Sequence, residues 1–269
     1  MELLIIENNL DKIIQYQDIG IDIIFLDLEI IGKIERQGHL NTVISKHHNI
    51  EDVKLIRNVI KNSKLLVRCN PIHKNSYDEI NRIIDYGAQE IMLPYFKTIR
   101  EVETFLEIVN NRVDVNLLFE TPQSIFRLEN ILKLGQINNI HIGLNDLHLG
   151  LGLNFMFEIL ASDIFSTIIN TINKSGIPYG IGGIASLNKG DVRGELVLAE
   201  YYRLGANRTI ISRSLVNSCK NISELEVEIK SIRSHWDNLH QIKYEELNLL
   251  HEEFINKVNV VANNKINSI

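Results

Sequence analysis

The sequence predicts an α/β fold, a (β/α)8 or TIM barrel with a C-terminal helical extension. Three observations carry that prediction. Short apolar runs alternate with amphipathic stretches along most of the chain, the mark of βα repeats and a parallel sheet. Eight such runs fall before residue 220. After about Ser223 the glycines and strand signals give way to a stripe at helical spacing. The chain therefore divides into a barrel over residues 1–220 and a helical extension over 221–269.

The strands are read at Leu3–Ile6, Ile21–Leu26, Lys64–Arg68, Glu90–Leu93, Val115–Phe119, Asn139–Ile142, Pro178–Ile181 and Arg208–Ile211. Each is short, dominated by Ile, Leu, Val or Phe, and broken by turn residues, as a strand buried on both faces reads. Between them lie amphipathic stretches such as Tyr77–Tyr86 and Ile99–Asn110, with apolar residues three and four apart. An open doubly wound sheet is the competing arrangement, because the first strand and residues 150–175 are weakly marked. In the extension, Leu225, Ile229, Ile232, Trp236 and Leu239 alternate spacings of four and three, and Leu247, Leu250, Phe254 and Val258 continue the pattern. This stripe either packs on its own barrel or docks on another subunit. The second reading makes the chain a homo-oligomer, which is the expected assembly. Asn263–Ile269 reads as a frayed end.

Composition narrows the function. At 269 residues, 45% hydrophobic and 23% charged, the chain can bury a sizeable core. A net charge of −6 and a pI near 5.9 argue against a nucleic-acid surface. Cys69 and Cys219 show no CxxC spacing, so reduced thiols and no zinc site are expected. No apolar segment approaches membrane-spanning length, and the opening Met-Glu-Leu-Leu-Ile-Ile-Glu lacks the basic region of a signal peptide. A cytoplasmic protein acting on a small molecule, with no membrane partner, is the expectation.

Barrels of this kind place their chemistry at the C-terminal strand ends, where Asp27, Glu29, Arg68, Pro94, Glu120 and Asp146 all fall. Glu120, in Leu-Leu-Phe-Glu-Thr-Pro, and Asp146, in Ile-Gly-Leu-Asn-Asp-Leu, stand where neighbouring strands end. Two carboxylates converging there repel unless a hard divalent cation with oxygen ligands lies between them. The bland alternative is that one caps the following helix and the other is solvated. Arg68 ends its strand and could grip a carboxylate through two parallel hydrogen bonds, or form a surface salt bridge. Asp27 and Glu29 alternate onto the same side and suit a supporting role, hydrogen-bonding metal-bound water or orienting Arg68. Asp85, at a helix C-terminus, is badly placed for the helix dipole, so a salt bridge or a functional contact should hold it there. Gly-Ile-Gly-Gly-Ile-Ala at 180–185 lacks the full dinucleotide pattern and reads as a tight turn after the seventh strand that lets backbone approach a substrate. His39, His47, His48, His73, His141 and His148 are candidate bases by chemistry alone.

Taken in order, these segments resemble the HpcH/HpaI aldolase and citrate-lyase β-subunit superfamily, Mg2+-dependent barrel enzymes that bind pyruvate or phosphoenolpyruvate. The resemblance spans roughly residues 20–215 and rests on Phe-Leu-Asp-Leu-Glu, Leu-Val-Arg, Ile-Ile-Asp-Tyr-Gly-Ala with Met-Leu-Pro, Phe-Glu-Thr-Pro, and Ile-Gly-Leu-Asn-Asp-Leu-His-Leu-Gly-Leu-Gly. It implies that Glu120 and Asp146 are the protein ligands of Mg2+ (or Mn2+). Arg68 would bind the oxo acid and steady an enolate, with Glu29 in the catalytic group and Gly143 and Asn145 at the substrate. Asp85 would support an active site, from the neighbouring subunit in the family's aldolases, and the C-terminal helix would be exchanged between subunits.

Departures from the pattern matter. Where the pyruvate aldolases have a histidine directly after the position of Glu29, this chain has Ile30. The segment between Pro94 and Glu120 is shorter than in the aldolases, and the citrate-lyase branch's Glu-Asp pair after the second strand is absent. His39 or His73 are candidate substitutes for proton transfer. The function implied is a divalent-metal-dependent carbon–carbon lyase or aldolase acting on a 2-oxo acid. Alternatives are a citrate-lyase-like acyl-CoA lyase, for which Lys33 and Arg36 are scattered candidates to hold CoA phosphates, and a phosphoenolpyruvate-utilising enzyme. A non-catalytic barrel acting as a binding protein is the reading from outside enzymology.

Overall fold

The computed structural model describes residues 1–33, 35 and 48–266. Eight parallel strands close into a barrel in sequence order. They are β1 (Glu2–Ile6), β2 (Ile23–Asp27), β3 (Lys64–Arg68), β4 (Glu90–Leu93), β5 (Asp114–Phe119), β6 (Asn139–Ile142), β7 (Tyr179–Ile184) and β8 (Arg208–Ile211). Pairing of β1 with β8, Glu2 opposite Arg208 and Leu4 opposite Ile210, closes the sheet and removes the open alternative. Two strand bounds differ from the sequence reading in ways that matter. β2 starts later and ends on Asp27, so that carboxylate is the last residue of a fully buried strand. β7 runs on through Ile184, so Gly180–Gly183 lies inside the strand rather than in a turn after it. A register shift against β8 between Gly180 and Gly183 bends the strand there.

The strands are connected by helices α1 (Leu10–Asp18), α2 (Glu51–Val59), α3 (Ser76–Asp85), α4 (Ile99–Val109), α5 (Pro122–Phe126), α6 (Leu128–Leu132), α7 (Leu144–Leu151), α8 (Asp163–Ser175), α9 (Gly194–Leu204) and α10 (Arg213–Ser218). Their ends follow local chemistry. Thr98 and Glu101 form a reciprocal capping box that starts α4, and Thr121 accepts from Ser124 N–H while Pro122 opens α5. The helices face the sheet with apolar stripes such as Ile80 and Ile83 of α3 and Val102, Phe105 and Val109 of α4, all buried.

Two apolar clusters result. The larger lies between sheet and helices; the smaller, Leu4, Ile23, Phe25, Leu66, Met92 and Leu118, fills the barrel itself. Below it, at the N-terminal strand ends, the buried Glu90 carboxylate meets Arg208 Nη1 at 2.8 Å, Lys64 Nζ at 2.8 Å and Asn116 Nδ2 at 2.7 Å. An ion network closes that end and an apolar plug fills the middle. The remaining opening is at the C-terminal strand ends.

The extension consists of α11 (Ile222–Leu239) and α12 (Tyr244–Ile266). Leu225, Ile229, Ile232, Trp236 and Leu239 are buried, as are Phe254 and Val258. They pack against their own barrel. Both helices lie on α9, and Trp236 meets Tyr202 of α9 edge-on at 5.2 Å between ring centres. Asn263–Ile266 continues α12 rather than fraying. Among the described residues no helix is long and apolar enough to cross a membrane.

Candidate active site

A cleft of about 370 Å³ opens at the C-terminal strand ends. Its walls carry Asp27 from the end of β2 and Lys33 beyond it, Arg68 from β3, Glu120 after β5, Gly143 and Asn145 after β6, Gly182 and Gly183 from β7, and Ser212 and Arg213 after β8. Phe25, Met92 and Leu118 form the floor with His141. Asp27, Arg68 and Glu120 sit at or just past strand ends because the strand carries the chain through the apolar layer and stops there.

Arg68 and Asp27 are paired in register across β2 and β3. Arg68 Nε donates to Asp27 Oδ1 at 2.8 Å and Nη2 donates to Oδ2 at 2.7 Å. Arg68 Nη1 lies 3.5 Å from Glu29 Oε2. Burial alone would raise the Asp27 carboxyl; Arg68 and Lys33 outweigh it and hold it well below the usual carboxylate range. Burial would likewise lower Arg68, but Asp27 and Glu29 raise it further into permanent protonation. The two parallel bonds foreseen for Arg68 therefore go to Asp27, leaving the Nη1 side toward Glu29 and the cleft.

Lys33 completes this corner. Its Nζ lies 2.5 Å from Asp27 Oδ2 and 3.6 Å from Glu29 Oε2, and the residue is only 4% exposed. Burial, and then Arg68, lower its pKa against the opposing pull of Asp27 and Glu29. Ile30, by contrast, is 60% exposed.

On the other side Glu120 is buried, and its Oε1 accepts Tyr95 N–H at 3.0 Å. Gly143 N–H donates to Phe119 O at 3.0 Å, which draws the start of α7 against the end of β5. A Cβ on Gly143 would stand 2.8 Å from Glu120 Cβ and 3.0 Å from Oε2, so only glycine lets the carboxylate lie there. Asp146, also buried, follows in the first turn of the same helix. Glu120 lines the cleft, whereas Asp146 is not among its lining residues; as donor types, both suit a hard divalent cation. Both are carboxylates, and Glu120 is held by a backbone N–H, leaving Oε2 against the Gly143 wall. No cluster of three or more His, Cys, Asp and Glu forms among the described residues, so a cation would complete its shell with water and substrate.

The structure does not bring every nominated residue to the cleft. Asp85 ends α3 and is exposed, five residues before β4, which places it at the opposite end of the barrel from its own cleft. His73 bonds Pro71 O and Ser76, and His148 turns its Nδ1 to Leu144 O within its own helix; neither lines the cleft. His48 contacts the Asp27 backbone. His39, His47 and Arg36 lie outside the described residues. His141 is at the floor, its Nε2 3.1 Å from Gly182 O. Burial, with Arg208 and Arg68 adding to it, pushes its pKa down to about 4, so the ring is neutral at pH 7.

Sequence reasoning undervalued Lys33 and missed Arg213, which lines the cleft just after β8. The rule that nominated Arg68 and Glu120, polarity at the end of an apolar run, also picks out Arg213 two residues past Ile211.

Comparison with known proteins places this barrel in a family. The HpcH/HpaI aldolase/citrate lyase family profile matches residues 7–179, well over half the chain. The chain belongs to the HpcH/HpaI aldolase/citrate lyase family. The matched span of this HpcH/HpaI chain includes Asp27, Lys33, Arg68, Glu120, Gly143 and Asp146. Family membership supports a lyase-type function. No curated protein matches the sequence significantly. Among solved structures, an HpcH/HpaI aldolase from Desulfitobacterium hafniense DCB-2 superposes with a TM-score of 0.57 at 14% identity, covering 78% of this chain and 85% of that one. The citrate synthase SbnG superposes with a TM-score of 0.59 at 16% identity, covering 88% of this chain and 94% of that one. At such identities these two establish the shared fold.

Proposed function

We propose that this cleft is the active site of a divalent-cation-dependent carbon–carbon lyase acting on a 2-oxo acid, such as pyruvate or an aldol adduct of it. One observation carries the reading. Arg68, fixed by Asp27, and Glu120, fixed beside the start of α7, line a single cleft at the barrel mouth. Glu120 and Asp146 would hold Mg2+ or Mn2+, and the cation when bound supplies Lewis-acid polarisation of the oxo group. Arg68 turns its remaining N–H groups toward charge that develops as the carbon–carbon bond is made or broken. Gly143 and Asn145 form the wall along which the acid lies. The apolar floor of Phe25, Met92 and Leu118 excludes water beneath the reacting carbon. A role for Asp85 requires a second copy of the chain, since it stands at the far end of its own barrel; homo-oligomeric mass in solution is the corresponding expectation.

The acyl-CoA alternative gains nothing from Lys33, which is buried and paired with Asp27 rather than offered to phosphates. The test is proton NMR of pyruvate in D2O, with and without Mg2+ or Mn2+. Metal-dependent loss of the methyl signal, abolished in Glu120→Gln, is the expected result. Absence of exchange under every metal condition overturns the pyruvate reading.

A further inference from the structure

We infer that Lys33 is the group that carries the substrate proton, a catalytic residue of this cleft and not a buried counter-ion alone. The inference rests on the 2-oxo acid reading above. Enolate formation needs a base within hydrogen-bond reach of the carbon beside the oxo group. Arginines cannot serve, being permanently protonated. Among the described residues lining the cleft, the candidate nitrogens are then those of Lys33 and His141. His141 is 1% exposed, and its Nε2 is engaged with Gly182 O at the floor. Lys33 Nζ stands in the wall, beside Asp27 at 2.5 Å and on the same carboxylate that holds Arg68. Proton carrier and enolate-stabilising guanidinium are thereby locked to one rigid group. Asp27 itself is a poor base because the Arg68 guanidinium grips both of its oxygens and keeps it ionised.

The environment of Nζ suits the task. Its principal charged neighbours are Asp27 and Glu29 from the end of β2 and Arg68 from β3, with Glu120 and Arg213 on other walls of the cleft. A lysine buried next to a guanidinium loses its proton more readily than one in water. In the forward step the neutral amine takes a proton from C3 of the oxo acid. The C–H bond breaks, an N–H bond forms, and the electron pair moves through C2 onto the oxygen as an enolate beside Arg68. In condensation the enolate carbon adds to the carbonyl of an aldehyde or ketone acceptor, and the ammonium returns the proton to the new alkoxide. Cleavage runs the same two steps backwards.

The experiment is metal-dependent exchange of the pyruvate methyl protons in D2O, followed over pH for wild type, Lys33→Arg and Lys33→Met. Thermal unfolding confirms that each variant is folded. Arginine keeps the charge beside Asp27 but cannot release the proton, so both variants should lose exchange by about 100-fold or more. A Lys33→Cys variant in a Cys219→Ser background, aminoethylated to a less basic lysine analogue, should recover exchange with its acidic limb moved to lower pH. Cys69 is buried and is expected to survive the reagent. Wild-type exchange that persists in Lys33→Arg within about tenfold overturns the role of Lys33 and leaves the oxo-acid reading standing. Absence of exchange in wild type overturns that reading and this inference together.

Discussion

Asp27 receives Arg68 through two parallel hydrogen bonds, Nε to Oδ1 at 2.8 Å and Nη2 to Oδ2 at 2.7 Å, in a corner that also holds Lys33. Two adjacent strands thus present their terminal side chains as one charged unit. Removing one charge from a buried pair leaves the other uncompensated, at a cost of about 3–5 kcal/mol. Asp27→Asn should lower urea-derived stability near pH 7 by roughly that order. Because the folded carboxyl lies below its unfolded value, the stability it provides is present above about pH 4 and lost as pH falls further. The variant should therefore lack that part of the acid-induced loss. A full wild-type acid transition in Asp27→Asn would contradict the assignment.

Gly143 is a packing requirement of Glu120. A Cβ there would meet Glu120 Cβ at 2.8 Å and Oε2 at 3.0 Å. Gly143→Ala should cost about 1–3 kcal/mol through overpacking. Its larger effect should be on Mn2+ affinity, measured by titration calorimetry, which is expected to fall by about 10-fold or more, the loss typical when a group that orients a metal ligand is disturbed. Unchanged Mn2+ binding would detach Glu120 from the metal.

His141 gives the fold a distinct pH response. Its folded pKa of about 4 lies below the ordinary 6.5, so between those values the unfolded chain binds the proton and the folded chain does not. Stability should fall as pH drops through that window, by about 2 kcal/mol between pH 7 and pH 5 from this group. His141→Gln keeps a donor for the Gly182 carbonyl and has no titrating nitrogen. Comparing denaturation of the two proteins at both pH values isolates the contribution, and equal losses in both would refute it.

Trp236 ties the extension to the barrel by its edge-on contact with Tyr202. Trp236→Ala should cost about 3–5 kcal/mol, the usual range for a buried tryptophan. In a monodisperse sample the loss should not depend on protein concentration, because the contact lies within one chain. A concentration-dependent loss would mean that the stripe is shared between copies.

Much of the barrel was legible in the sequence. The bounds of β3, β4, β6 and β8 match the apolar runs, since a strand buried on both faces has to be apolar and short. Glu120 and Arg68 were legible for the same reason, as charges where such runs stop. The misreadings have physical causes. Gly180–Gly183 looks like a turn because glycine is permissive, yet pairing with β8 keeps it in the strand, with Gly182 at φ +44°. Asp85 is placed by sequence beside a helix end, but which end of the barrel that helix end occupies depends on the chain's direction through the βα repeat.

By itself the sequence determined the repeating βα architecture, the placement of Arg68, Glu120, Gly143 and Asp146 near strand ends, and the apolar stripe of the extension. All of these follow from local periodicity and from the points at which apolar runs break. Only the tertiary structure decided that Asp27 takes the Arg68 fork, that Lys33 turns inward to the same carboxylate, that Arg213 joins the cleft, and that the stripe rests on its own barrel. Those outcomes depend on strand register and closure, which bring residues far apart in the chain to within hydrogen-bond distance and which no local pattern encodes.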